Sequence, residues 1–141
     1  MVLSPAVDPE LLAALNVLHK PAGWVHLATV GPRGWPHVAP MMMGVEDDVL
    51  LFSLTGKQKK RNIERDPRVT VSIARPEDLA HIIIWGRIEL RHDAEAQELW
   101  DDLIRGAFGE AGLDQRRREL SLEATSLGVM RPIRHRIYQV K

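Results

Sequence analysis

Leu51-Phe52-Ser53-Leu54-Thr55-Gly56-Lys57-Gln58-Lys59-Lys60-Arg61-Asn62-Ile63-Glu64-Arg65-Asp66-Pro67-Arg68-Val69 runs from apolar to hydroxylated to cationic and back to apolar. Val49 to Leu54 reads as a strand, and Ser53, Thr55 and Gly56 as the turn that ends it. Lys57, Lys59, Lys60 and Arg61 then place four cations within five positions at the start of a short helix. That helix spans roughly Lys57 to Arg65, because Pro67 disfavours a helical conformation at Asp66. The first N–H groups of a helix have no intrahelical partner, so a helix N-terminus with Lys beside it makes a seat for a phosphate. By helical spacing Lys57, Lys60 and Arg61 share a face while Lys59 points elsewhere, and a solvated cationic face is the competing reading. Between two strands of a small β protein, such a seat suggests a phosphorylated cofactor rather than a nucleic acid.

Working outward, Asp8-Pro9-Glu10 reads as an N-cap, a first-turn Pro and a favourable acid, opening a helix with Leu11, Leu12, Leu15 and Leu18 on one face. Pro21-Ala22-Gly23 ends it. Trp24 to Val30 alternates like a strand, Gly31-Pro32-Arg33-Gly34 turns the chain, and His37 to Met43 follows as a second strand. Beyond Pro67, Val69, Val71 and Ile73 alternate with polar or small residues in a half-exposed strand. His81 to Leu90 contains Ile82-Ile83-Ile84-Trp85, apolar on both faces, as expected of a central strand or one covered by a second subunit. Gly86 within it marks a bend or a close approach by another backbone or a ligand. Asp93 caps an amphipathic helix carrying Ala96, Leu99, Trp100, Leu103 and Ile104, and Gly109 ends it. Leu113 to Leu127 is charged and helical in pattern, and the chain closes on a strand from Ile133 to Val140.

A chain of 141 residues makes one domain. Its expected divisions are an N-terminal helix over 1–23, barrel strands with the short phosphate-site helix over 24–92, helices over 93–130 and a final strand over 131–141. The 19 cations and 19 anions cancel, so no global field draws nucleic acid or an anionic membrane, and any anion site is local. There is no cysteine, which removes disulfides, thiolate metal sites and cysteine nucleophiles. The 6 histidines lack ligand spacing, so no metal site is expected. No apolar run approaches the roughly 20 residues of a membrane span, and no signal peptide is evident at Met1-Val2-Leu3-Ser4-Pro5, so a cytoplasmic location is expected. Six or so strands in mainly antiparallel order, with helices between, predict a mainly β fold: a small barrel with flanking helices.

The ordered motifs resemble the FMN-binding split-barrel superfamily, which includes pyridoxamine phosphate oxidase and the deazaflavin-dependent oxidoreductases. Leu27-Ala28-Thr29-Val30 with Gly34-Trp35-Pro36-His37-Val38-Ala39-Pro40 resembles the family's opening hairpin. Lys57 through Val69 resembles its (R/K)-x-K-x-x-N-(I/L)-x-x-(D/N)-P-x-V stretch, and Gly86-Arg87-Ile88-Glu89-Leu90 its G-x-(A/I)-E-(L/I). The resemblance covers roughly residues 24 to 108 plus the last strand, and implies a six-stranded antiparallel split β-barrel. It also implies that Ser53, Lys57 and Lys59 hold a cofactor phosphate, with Gln58 and Asn62 nearby. Val38, Ala39, Pro40 and Met41 would lie against the ring. A homodimer is implied, with cofactor sites at the interface and the partner's strand near Trp85 and Gly86 forming one wall.

Pyridoxamine phosphate oxidase proper has an Arg where this chain has Gln58, and Arg134-His135-Arg136 does not reproduce its C-terminal substrate motif. Vitamin B6 oxidation is therefore not expected. The shorter chain and the Lys59-x-x-Asn62 turn are closer to the coenzyme F-420 branch, leaving F-420 or FMN as the cofactor. The implied function is an oxidoreductase transferring hydride between that ring and a small organic substrate. A non-catalytic flavin or haem carrier is the alternative, with His135 as the haem candidate. His37 and His81, Met41-Met42-Met43, and Trp24, Trp35 and Trp85 each read as pocket lining or as ordinary packing. Arg116-Arg117-Arg118 reads as reaching an acidic cofactor tail or as exposed surface.

Overall fold

The structure, a computed structural model, describes residues 7–20, 23–46, 48–119 and 126–141. Asp8 opens α1 (Pro9–Leu18): its Oδ1 accepts from the N–H groups of Glu10 at 2.8 Å and Leu11 at 3.4 Å, satisfying two donors that the helix itself cannot. After it come β1 (Val25–Val30), β2 (Pro36–Met41), β3 (Met43–Val45), β4 (Leu50–Leu54), α2 (Lys57–Arg65), β5 (Arg68–Arg75), β6 (Ala80–Arg91), α3 (Ala94–Glu119) and β7 (Ser126–Tyr138). The strands form one 7-stranded sheet in the order β2-β1-β5-β6-β7-β4-β3, and every pairing is antiparallel.

That order dictates curvature. Six gaps of about 4.8 Å would hold the edges of a flat seven-stranded sheet about 29 Å apart. Yet the edge strands β2 and β3 are separated in sequence by Met42 alone, and the two peptide steps from Met41 to Met43 reach at most about 7 Å. The sheet must therefore curl until one end of each edge meets, giving the expected split barrel with flanking helices. The expected count of six strands becomes seven because the predicted second strand breaks at Met42, passing from one edge to the other.

Alternation in β4 and β7 divides the core in two. Leu50, Phe52 and Leu54 point into the barrel with Leu11, Leu15, Leu27, Ile82, Ile84 and Met130. Leu51 points outward with Leu127 and Val129, where Ala96, Trp100, Leu103 and Ile104 of α3 cover them. Both faces of these strands are buried, which is why they read as continuous apolar runs. This covering also explains a boundary correction: Leu127 belongs to the final strand, which begins at Ser126 rather than at residue 131, while the predicted helical residues 120–125 lie outside the described ones.

β6 is the fourth of the seven strands, so the Ile82-Ile83-Ile84-Trp85 run is central as expected. Ile82 and Ile84 fill the barrel; Ile83 and Trp85 face outward and are half-buried. The Arg134 guanidinium lies 4.6 Å from the Trp85 ring centre. At Gly86 the register with β7 slips, Trp85 pairing with Arg134 but Gly86 with Pro132, which leaves Ile133 as a bulge. A Cβ on Gly86 would run into the Arg131 carbonyl oxygen. The close approach expected at this glycine is therefore made by the chain's own β7 backbone.

Asp93 caps α3 as predicted, its Oδ1 accepting from the Ala96 N–H at 2.8 Å. The helix breaks at Gly109, whose φ of 74° and ψ of −178° few side chains tolerate. A straight helix would carry residues 101 and 117 about 24 Å apart. Instead Arg117 contacts the Asp101 carboxylate, so α3 doubles back at Gly109 as two arms. Among the described residues no helix is long and apolar enough to cross a membrane.

Candidate functional site

The N-terminus of α2 is electrostatically unrelieved. Its cap, Gly56, offers no side-chain acceptor, and no acidic residue lies in the first turn. Cations at this end oppose the helix dipole, each at a cost of roughly 0.3–1 kcal/mol when exposed, whereas an anion there would be stabilised. Lys59 folds back over the cap: a Cβ on Gly56 would come within 2.9 Å of its Nζ. The missing side chain makes room for the ammonium, and burial lowers the Lys59 pKa below its usual 10.5.

Lys59 projects into a cleft of about 180 Å³. Ser53 and Thr55 line it from β4 and the turn beyond, with Pro40, Met41 and Met42 at the crossing between the sheet edges. Trp24 stands at its rim, and Trp100, Ile104 and Arg116 come from the two arms of α3. The Trp100 Nε1–H donates to Ser53 Oγ at 2.8 Å. That bond fixes the serine while leaving its own proton free to be donated.

The residues singled out in the sequence part company here. Pro40, Met41, Ser53 and Lys59 meet in this cleft. Val38 instead faces outward, 60 % exposed, and Ala39 packs against the barrel core. Lys57 and Gln58 are exposed at the helix start and do not line the cleft. Asn62 is 0 % exposed and occupied internally: its Nδ2 donates to Thr29 Oγ1 at 3.0 Å, and its Oδ1 accepts from Gln58 at 2.7 Å and Arg65 at 3.1 Å. With no surface to offer a ligand, it fastens α2 to β1. Trp85 and Gly86 line a different cleft, of about 590 Å³, on the outer face of the sheet with Arg87, Ile133 and Arg134.

Of the alternatives left open, Met41 and Met42 do line the cleft while Met43 is buried core. Trp24 lines it, whereas Trp35 and Trp85 do not. His37 has a buried Nδ1 with no hydrogen-bond partner among the described residues, and lies outside the cleft lining. His81 stacks on Tyr138 with ring centres 4.9 Å apart. His135 sits 3.8 Å from the Glu10 carboxylate. Thr55 and Trp100 were not singled out as site residues. Trp100 carried the spacing of an ordinary core residue, and only the packing of α3 on β4 brings it to Ser53.

The curled antiparallel barrel and its cation-lined cleft at a helix N-terminus define a split-barrel protein. The chain belongs to the pyridoxamine 5'-phosphate oxidase family, which matches residues 11–131. No curated protein matches it. Among solved structures it is similar to an F420 reductase, at 26 % identity and a TM-score of 0.67, with 86 % of this chain and 94 % of that one covered. It is also similar to Rv2991 from Mycobacterium tuberculosis, at 21 % identity and a TM-score of 0.70 over 98 % of this chain and 89 % of the other. A Clostridium acetobutylicum protein related to general stress protein 26, of the pyridoxinephosphate oxidase family, shares the fold at 16 % identity and a TM-score of 0.69, over 96 % and 93 %.

Proposed function

We propose that this chain binds a phosphorylated flavin or deazaflavin, FMN or coenzyme F-420, and acts as an oxidoreductase on a small organic substrate. The observation that carries the reading is the convergence of Lys59, from the uncapped first turn of α2, with Ser53 and Thr55 on one cleft that Pro40 and Met41 also line. The donor set fits a phosphate: a desolvated ammonium and a hydroxyl with its proton free, beside a helix start that has no side-chain cap. The bound ring would supply the hydride chemistry. Lys59 would hold the phosphate, and Ser53, oriented by Trp100, would donate to it. Pro40, Met41 and Ile104 keep water from that side, and Trp24 offers an aromatic face at the rim. Family membership and the likeness to an F420 reductase support a flavin-type ring.

The proposal includes a homodimer. A cleft of about 180 Å³ is smaller than the roughly 300–1,000 Å³ typical of small-molecule sites, so a ring needs further wall. The outer face carrying Trp85 and Gly86, where Ile133 is exposed and Trp85 half-buried, is suited to supply it from a second copy.

Titration of the protein with FMN, F-420 and haem, followed by absorbance and fluorescence, tests the reading. One flavin-type ligand is expected to bind. Lys59→Gln should weaken it roughly tenfold or more, the value of one charge-assisted contact, while Lys57→Gln changes little. Binding of none of the three would overturn the proposal, and haem alone would make the protein a carrier.

A further inference from the structure

Arg116 is the second cation of the cleft, and only the reversal of α3 at Gly109 brings it there. The second arm is held in place by Leu113, 1 % exposed in the outer core, and by the Arg117–Asp101 ion pair. Two other arginines of α3 are engaged: Arg117 with Asp101, and Arg105 with Asp102 and Glu110. Arg116 has no carboxylate partner among the described residues, and its guanidinium rests 5.6 Å from the Phe108 ring centre. Among the described residues that line the cleft there is no carboxylate to offset Lys59 and Arg116. Two like charges sharing a partly desolvated space repel, and a doubly charged anion between them would turn that repulsion into attraction.

We propose that Arg116 is a second anion-binding residue of this cleft, acting with Lys59 to select a ligand that presents two negative charges there, as a phosphate monoester does. The inference rests on the cofactor-phosphate reading above. A phosphate monoester carries about −1.5 to −2 charges at pH 7, matching an ammonium plus a guanidinium. The planar guanidinium engages two phosphate oxygens at once and the ammonium a third. Phosphate-free analogues of the same ring would gain nothing from Arg116.

The test uses the full chain as wild type, Arg116→Gln, Arg116→Lys and Lys59→Gln. Each is titrated with FMN and riboflavin, the monoester and its phosphate-free partner, and with F-420, whose phosphate is a singly charged diester, and its phosphate-free deazaflavin core. For FMN, Arg116→Gln should lower affinity roughly tenfold or more, and Arg116→Lys should restore much of it; binding of F-420 in preference to FMN would overturn the selection for two charges. The phosphate-free partner should bind all variants alike, a pattern that disturbed packing of the arm would not give. If Arg116→Gln binds the phosphorylated ligand as wild type does while Lys59→Gln is weakened, the Arg116 assignment falls and the cofactor reading stands. If wild type binds no ring, the cofactor reading falls, and inorganic phosphate decides the arginine: equal binding by wild type and Arg116→Gln overturns it, and loss in the variant supports it.

Discussion

His19 illustrates how a residue acquires a role from its surroundings alone. Its Nε2 lies 2.6 Å from the Met43 carbonyl oxygen, to which the neutral ring donates, tying the end of α1 to the edge strand β3. Burial lowers its pKa below 6.5, and the Met43 bond only partly opposes this. The unfolded chain therefore takes up the proton first as pH falls. His19 contributes fully above about pH 6.5, and that stability is progressively lost as pH drops toward its folded pKa. Asp66, held at about 2, and Asp78 are lowered chiefly by hydrogen bonds from Arg68 and Arg75, and lose their contributions only in a more acidic range. Urea midpoints of wild type should fall between pH 7.5 and about pH 5 more steeply than those of His19→Gln. Equal slopes would remove His19 as the cause. Nothing in the sequence marked this histidine, because neither its burial nor its partner is local.

At the scale of the element, α2 was legible almost to the residue. Gly56, the cation run and Asp66-Pro67 set both ends, and the helix spans Lys57–Arg65 as expected. Its docking was not legible, since Asn62 resembled a ligand residue and is in fact the fastening. Asn62→Ala would leave the Thr29 hydroxyl and the Arg65 and Gln58 donors short of a partner at the α2–β1 contact. A loss of about 1–3 kcal/mol in unfolding free energy is expected, measured by urea denaturation at constant m. Phosphorylated-ligand binding should weaken only as far as α2 shifts. A variant as stable as wild type would mean that the network carries no net energy. In α3 the Asp93 cap and the stop at Gly109 were readable, but the reversal was not, because Arg117 and Asp101 lie 16 residues apart and pair only after the arms fold together.

For the whole molecule, the outer face of β5, β6 and β7 is the surface on which the proposed homodimer rests. Ile133, pushed out by the bulge at Gly86, is 69 % exposed. Ile133 and the half-exposed Trp85 share one cleft of this face, the kind of apolar surface that suits association. On the proposed homodimer, wild type should sediment as a dimer and Ile133→Asp as a monomer in analytical ultracentrifugation, with cofactor affinity falling in the variant if the site spans two copies. A monomeric wild type would refute the dimer.

The elements are legible in the linear order: Asp8 and Asp93 cap helices, Pro67 ends α2, β5 alternates with period two, and an ordered motif set points to the barrel. Caps, turns and alternation depend on neighbours a few residues away, so the linear order contains them. Tertiary structure alone decided that Met42 joins the two sheet edges and that Asn62 faces inward. It also decided that Trp100 orients Ser53 and that Arg116 shares a cleft with Lys59. Each of these joins residues distant in the chain or turns on which side of a helix the sheet covers, and only closure of the barrel and the folding back of α3 fix such distances.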